Sequence, residues 1–193
     1  MDRHYKGIKT MRALDLVHDT IKKYVKAGSI CIDATMGRGY DTAYLASLAG
    51  DSGKVIAFDI QKSALDSTSS LLKEKGYENV ELILDSHANM AKYATDESVD
   101  CIVFNLGYLP NGDHTIYTHA DSTIEAITSG LKILKKGGLM CVSIYYGGDS
   151  GYEEKDALLP FLKNLDDEKY QVIMASFFNW KNDPPIPVFI LKN

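Results

Sequence analysis

Apolar and polar residues fall into short blocks along this chain, and the blocks switch repeatedly between the period of a helix and that of a buried strand. From Met11 to Lys26, Ala13, Leu14, Val17, Ile21 and Val25 recur at helical spacing, which predicts an amphipathic helix over residues 11–27 packed on the rest of the domain. Ser29–Asp33 is a short continuous apolar run, as expected of a central parallel strand buried on both faces. A helix over Ala43–Ala49 leads to a second strand at Lys54–Asp59, a helix over Lys62–Lys75 closed by Gly76, and a third strand at Val80–Asp85. Val99–Phe104 reads as the fourth strand. A helix from about Asp121 to Leu134 stops at Gly137-Gly138, and Leu139–Tyr146 reads as the fifth strand. Glu153–Leu165 is helical in pattern, and Tyr170–Phe178 and Pro187–Leu191 complete seven strands. Such alternation gives an α/β fold, a doubly wound sheet with helices on both faces.

Chemistry enters where the first strand ends. Asp33 is followed by a glycine-punctuated turn, Ala34-Thr-Met-Gly-Arg-Gly-Tyr40, in which Gly37 and Gly39 allow a tight turn and close approach of a ligand to the backbone. Asp41 and Thr42 are N-cap candidates for the next helix. In open parallel sheets ligands bind outside the carboxyl ends of the strands, at the switch in strand order. Asp33, Asp59, Asp85 and Asn105 each stand at or just past a strand end, so one sheet edge carries acids and an amide in register. The absence of Lys-Ser/Thr after the glycines excludes a phosphate-binding P-loop.

Composition changes this picture little. With 193 residues, 45% of them hydrophobic, residues 1–193 fit one domain with a full core. No run of roughly 18 apolar residues and no signal-peptide pattern occurs, so a cytoplasmic protein is expected, without a membrane partner. Cys31, Cys101 and Cys141 lie in three separate apolar runs, which fits buried free thiols in neighbouring strands rather than disulfides or a zinc site; no metal is expected. The net charge of −5 divides unevenly: residues 1–26 carry seven Lys or Arg against three Asp, leaving −9 for the remainder. That basic segment is either a solvated helix face or a surface for phosphates.

The order Asp-x-x-x-Gly-x-Gly, opened by Asp33, resembles the cofactor loop of class I S-adenosylmethionine-dependent methyltransferases rather than that of nicotinamide dehydrogenases. The short Asn-Trp-Lys-Asn-Asp-Pro-Pro connection before the last strand suits the antiparallel seventh strand of that mostly parallel, Rossmann-like sheet. The resemblance implies S-adenosylmethionine as cofactor. Asp33, Thr35, Met36, Gly37 and Gly39 would surround its methionine end, with Asp41, Thr42 and Asn105 also in the cofactor pocket. Asp59 would accept the ribose hydroxyls, a carboxylate offering two oxygens to a vicinal diol. Asp85, Ser86 and His87 would border the adenine, with Ile60 or Gln61 against its face; for His87, and for His18, packing or capping is the competing role.

Asn105-Leu-Gly-Tyr108 stands where many amino-group methyltransferases carry Asn/Asp-Pro-Pro-Tyr/Phe. By that likeness Asn105, Leu106, Gly107 and Tyr108 form the catalytic segment: the Asn105 oxygen and a backbone carbonyl near Leu106 accept the hydrogens of a nucleophilic nitrogen, and Tyr108 stacks on its base. Both prolines are replaced. A plain turn after a strand is the competing reading.

Five blocks narrow the resemblance: Asp33–Thr42, Leu84–His87, Asn105–Asp113, Ile144–Gly147 with Glu153–Asp156, and Phe178–Pro185. In this order they resemble the rRNA methylase family, whose characterised members methylate the 5-aminomethyl group of a thiolated wobble uridine in tRNA. Arg38, Tyr40, Asn111, His114, Tyr146 and Trp180 depart from residues more usual there. The implied partner is the anticodon region of tRNA, and a homodimer would supply further RNA surface; a methyltransferase acting on rRNA or a small-molecule amine is the alternative, ahead of a nicotinamide dehydrogenase or a non-catalytic cofactor-binding module. An aliphatic amine has a pKa of about 10, so the site must favour its neutral form. Asp113 or His114 would relay the proton, or serve as a turn Asp and a surface His. Tyr145 and Trp180 complete the candidate substrate residues; strand alternation lets only one of Tyr145 and Tyr146 face the site, and Trp180 is either a stacking platform or hydrophobic cover.

Overall fold

A computed structural model describes residues 10–107, 118–146, 151–181 and 183–193. Tyr108, Asn111, Asp113 and His114, and the basic residues Arg3, Lys6 and Lys9, lie outside the described residues.

The elements are α1 (Ala13–Tyr24), β1 (Ile30–Asp33), α2 (Tyr40–Ala49), β2 (Lys54–Asp59), α3 (Lys62–Lys75), β3 (Val80–Leu84), β4 (Val99–Leu106), α4 (Ala120–Ile133), β5 (Leu134–Ile144), α5 (Gly151–Lys163), β6 (Tyr170–Met174) and β7 (Ile186–Lys192), with a 3₁₀ turn at His87–Lys92. They build a seven-stranded sheet in the order β3-β2-β1-β4-β5-β7-β6. β1 to β5 are mutually parallel, and β7 runs antiparallel to both β5 and β6. The strand order reverses between β1 and β4, which places the ligand crevice at their carboxyl ends.

The two-residue period of the strands divides the core. Ile32, Ile56, Phe58, Ile102, Phe104, Met140 and Val142 face α4 and α5, while Cys31, Val55, Cys101, Val103, Leu139 and Cys141 face α1 and α2 through Val17, Ile21, Leu45 and Ala49. Every central strand thus buries both faces, as its continuous apolar run requires. All three cysteines are buried free thiols on the same face. Burial pushes the Cys31 thiol up to about 12 and raises the other two as well.

Several boundaries differ from the sequence pattern for identifiable reasons. α1 is shorter than residues 11–27 because Arg12 and Val25 are both extended; the Asp15 carboxylate accepts the Arg12 backbone N–H at 2.9 Å and caps the start. α2 begins before Asp41 and Thr42: its N-cap is Gly39, in the left-handed conformation at φ 81°, so neither residue is the cap. α4 ends ahead of Gly137-Gly138, and β5 begins at once. Val99 pairs with Leu134 but Cys101 with Leu139, so the intervening residues bulge, with Gly137 at φ 73° and the Lys135 ammonium 2.9 Å from Asp100. β4 runs on through Asn105 to Leu106, beyond the expected Phe104. β6 stops at Met174, not Phe178; the chain turns at Phe177–Trp180, and Phe178 is fully exposed.

Candidate active site

The turn after β1 is held through its own backbone amides, which bond within it and to the neighbouring strands. Ala34 N–H donates to the Val103 carbonyl at 2.8 Å, Met36 N–H to Phe58 at 2.9 Å, and Gly39 N–H to Met36 at 2.7 Å. Thr35 N–H donates to Asp33 Oδ1 at 3.2 Å and Gly37 N–H to Asp59 Oδ2 at 3.1 Å. Five amides of the turn are therefore spent on protein acceptors, and the loop has its shape before any ligand arrives. A pyrophosphate site needs such amides pointing outward. Gly39 has little freedom to change: a Cβ there would lie 2.7 Å from the Thr68 methyl and 3.0 Å from its Cα.

Asp33 is wholly buried beneath this turn. Its second oxygen accepts the Thr42 hydroxyl at 2.6 Å. Burial, then the nearby Asp41 charge, push its carboxyl up to about 7. Asp33, Gly39 and Thr42 do not line the cavity above the loop, whereas Thr35, Met36, Gly37 and Asp41 do. The residues expected at the methionine end thus divide into a cavity lining and a buried brace.

Asp59, at the end of β2, does line the cavity. Its oxygens accept the Gly37 and Gln61 N–H groups at 3.1 and 2.9 Å, while burial raises its pKa against those bonds. A carboxylate has about four lone-pair sites, so acceptor capacity remains for a ribose hydroxyl. Gln61, Ile60, Asp85, Ser86 and His87 also line the cavity. Asp85 is tied to its own turn by Ser86 N–H, the Asn89 amide and the Tyr93 hydroxyl, which lower its pKa. Ser86, not His87, caps the 3₁₀ turn. His87 is kept neutral by burial and has Nδ1 3.2 Å from the Ala34 carbonyl, a bond in which the ring must donate.

The end of β4 is tied to distant parts of the chain. Asn105 N–H donates to the Thr35 hydroxyl at 2.7 Å, joining the two strand ends at the switch point. Its side-chain Nδ2 donates to Asp41 Oδ2 at 2.6 Å, and Asp41 Oδ1 lies 2.6 Å from His18 Nε2 of α1. Gly107 N–H donates to the Thr118 hydroxyl at 2.8 Å, and Thr118 N–H to the Gly107 carbonyl at 3.0 Å. Buried Glu154 accepts the Thr118 and Thr123 hydroxyls at 2.6 and 2.7 Å.

One cavity of about 770 Å³ joins these parts, within the 300–1,000 Å³ usual for small-molecule sites. Asn105, Leu106, Gly107 and Tyr145 line it together with the Asp59 half. Tyr146 lines it too: β5 ends at Ile144, so both tyrosines lie beyond the ladder and its alternation no longer separates them. The Lys155 ammonium sits 4.5 Å from the Tyr146 ring centre. Trp180 does not line the cavity; it stacks on Phe177 at 4.4 Å, and Asp183 and Pro185 of the same connection reach the wall instead. Leu14, His119, Ser122 and Glu154 are lining residues the sequence reading missed. Only Glu154 carried a signal, its place in the Glu153–Asp156 block.

The donor set suits S-adenosylmethionine: Asp41, Asp59 and Asp85 give the cavity acidic walls for a sulfonium, Asp59 keeps acceptor capacity for a ribose, and five amides of the loop are already paired within the protein. A family model described as "Putative rRNA methylase" matches residues 55–191. The chain belongs to this family. It is an S-adenosylmethionine-dependent methyltransferase with the Rossmann-like fold of that class. A tRNA (mnm(5)s(2)U34)-methyltransferase, chloroplastic, from Arabidopsis thaliana is 34% identical over 193 residues, covering 94% of this chain and 69% of that protein. The crystal structure of a "putative rRNA-methylase" from Clostridium thermocellum is 45% identical with a TM-score of 0.93, covering 96% of this chain and 100% of that one. A "putative methyltransferase" from Streptococcus mutans, solved in complex with SAH, is 40% identical with a TM-score of 0.87, covering 95% and 99%. Among the described residues no helix is long and apolar enough to cross a membrane.

Proposed function

We propose that this chain methylates RNA, and specifically the 5-aminomethyl group of the modified wobble uridine in tRNA. The observation that carries the reading is the continuity of the cavity from the Asp59 side to Asn105–Gly107 and the rim tyrosines, which leaves room for an acceptor base beside the cofactor half. The Arabidopsis relative, matched over nearly the whole of this chain, supports that acceptor.

S-adenosylmethionine, when bound, supplies an electrophilic methyl group on sulfur. Asp59 and the lining of the Thr35–Gly37 turn hold it, and Asp85 and Ser86 border its base. Asn105 Oδ1 and the Leu106 carbonyl accept N–H from the incoming amine and aim its lone pair. Tyr145 and Tyr146 give the acceptor end of the cavity aromatic surface, which favours the neutral amine over the ammonium form where it displaces water. The amine must shed one proton on methylation, which solvent at the cavity mouth would take up; Asp113 and His114, outside the described residues, are the relay candidates of the sequence resemblance. A homodimer working in the cytoplasm belongs to the same proposal. Exposed Ile173 and Met174 on the unpaired edge of β6 support an interface there; sedimentation giving a monomer at all concentrations contradicts it.

The test is incubation with labelled S-adenosylmethionine and tRNA from cells lacking the homologous enzyme, followed by nucleoside mass spectrometry. Label is expected on the aminomethyl nitrogen of the wobble uridine. Equal labelling of tRNA without the aminomethyl group contradicts the proposal and favours a base amine as acceptor.

A further inference from the structure

We infer that His18 and Asp41 are positioning residues that hold the Asn105 side chain with its oxygen toward the acceptor. The inference rests on the proposed role of Asn105 at the amine, and adds to it a reason why that amide faces the right way.

An asparagine amide is nearly symmetric in shape, so a bare Asn at a strand end presents NH₂ or oxygen with little preference. Only the oxygen can accept N–H from an amine. Asp41 removes the ambiguity: its Oδ2 is 2.6 Å from Asn105 Nδ2, and the reverse orientation would bring two acceptors together at that distance. Asp41 is itself fixed from the other side. Its Oδ1 is 2.6 Å from His18 Nε2, and the two side chains are only 11% and 26% exposed. A carboxylate oxygen accepts, so His18 Nε2 carries the hydrogen. The imidazole in turn stacks on Tyr44, with ring centres 4.0 Å apart and planes 15° from parallel, and the Tyr44 hydroxyl donates to the His18 carbonyl at 3.0 Å. The line therefore runs from α1 through the first turn of α2 to the end of β4, every member fixed by a second partner.

His18 itself does not line the cavity. Any effect of its removal on the acceptor must pass through Asp41, which makes it the informative position. His18→Phe keeps an aromatic ring for Tyr44 but has no donor. His18→Gln keeps a donor and loses the ring. The measurements are single-turnover methyl transfer to the tRNA, the cofactor Kd by calorimetry, and the ¹H–¹⁵N signals of the Asn105 side-chain amide, identified by their absence in Asn105→Asp.

The expected result is a transfer rate lowered about 10- to 100-fold in His18→Phe, an unchanged cofactor Kd, displaced Asn105 amide signals, and partial recovery of rate and signals in His18→Gln. Asn105 signals unmoved in His18→Phe, or equal losses of rate and cofactor affinity, overturn the inference. If wild-type protein transfers no methyl group to the tRNA, the acceptor assignment has failed; the amide signals of the ligand-free protein still decide whether His18 orients Asn105.

Discussion

The two halves of the cavity are built in opposite ways. On the proposed cofactor side, the Asp33–Gly39 turn is braced through its backbone amides, which donate to Asp33 and Met36 within it and to Phe58, Asp59 and Val103 on neighbouring strands, and by the close fit of Gly39 on Thr68. On the acceptor side, Asn105 depends on Asp41 and His18, and Gly107 depends on Thr118 and Glu154, all supplied by other elements. A fixed ligand can be met by a loop whose backbone amides are tied down on the strands beside it. A nucleophile whose lone pair must be aimed requires side chains with one orientation, and these are locked from outside the motif.

Three substitutions and one titration probe this contrast, beginning with the largest effect. Asp59→Ala removes a charge-assisted acceptor and leaves the Gly37 and Gln61 amides unpaired, so cofactor binding should weaken by about 1.5–3 kcal/mol; an unchanged Kd in calorimetry would break the assignment of the cofactor half. Gly39→Ala forces a left-handed alanine against Thr68 and should cost about 2 kcal/mol of stability, seen as a lower denaturation midpoint. An unaffected midpoint would mean the loop is less rigid than its packing implies.

The titration concerns Asp33, whose carboxyl is held near 7 when folded against an ordinary 3.8. Between about pH 4 and pH 7 the folded chain then binds more protons than the unfolded chain, so this group makes stability fall as pH rises, by at most about 1.4 kcal/mol per unit, and adds no further change above pH 7. Denaturant unfolding across that window should show a flatter slope in Asp33→Asn; an identical slope would contradict the buried-brace reading. The smallest effect belongs to the other half. Glu154→Gln retains one acceptor for two threonine hydroxyls, and should cost about 1 kcal/mol and raise the acceptor KM while leaving the cofactor Kd alone. A loss of cofactor affinity would show that the two halves are not separate.

The same contrast explains what was legible in the sequence. Strand runs, the Asp-x-x-x-Gly-x-Gly turn and the acids at strand ends are local patterns, and the sheet and the cofactor wall arise from them. The bulge in β5 was not legible, because Gly137-Gly138 reads equally as a helix stop; pairing with β4 decides it. Asp41 looked like a helix cap because acids favour first turns, yet tertiary contacts with His18 and Asn105 claim both its oxygens. Glu154 stands on a helix far from Thr118 in sequence, and no periodicity marks that contact. Tyr145 and Tyr146 appeared mutually exclusive only while the strand was read past Ile144.

The most direct test of a backbone-braced cofactor side and a side-chain-aimed acceptor side is Asn105→Ala, measured by single-turnover methyl transfer at saturating S-adenosylmethionine beside its cofactor Kd. The account predicts a rate about 100-fold lower with the Kd unchanged; parallel losses in both would place Asn105 in the cofactor half and contradict it.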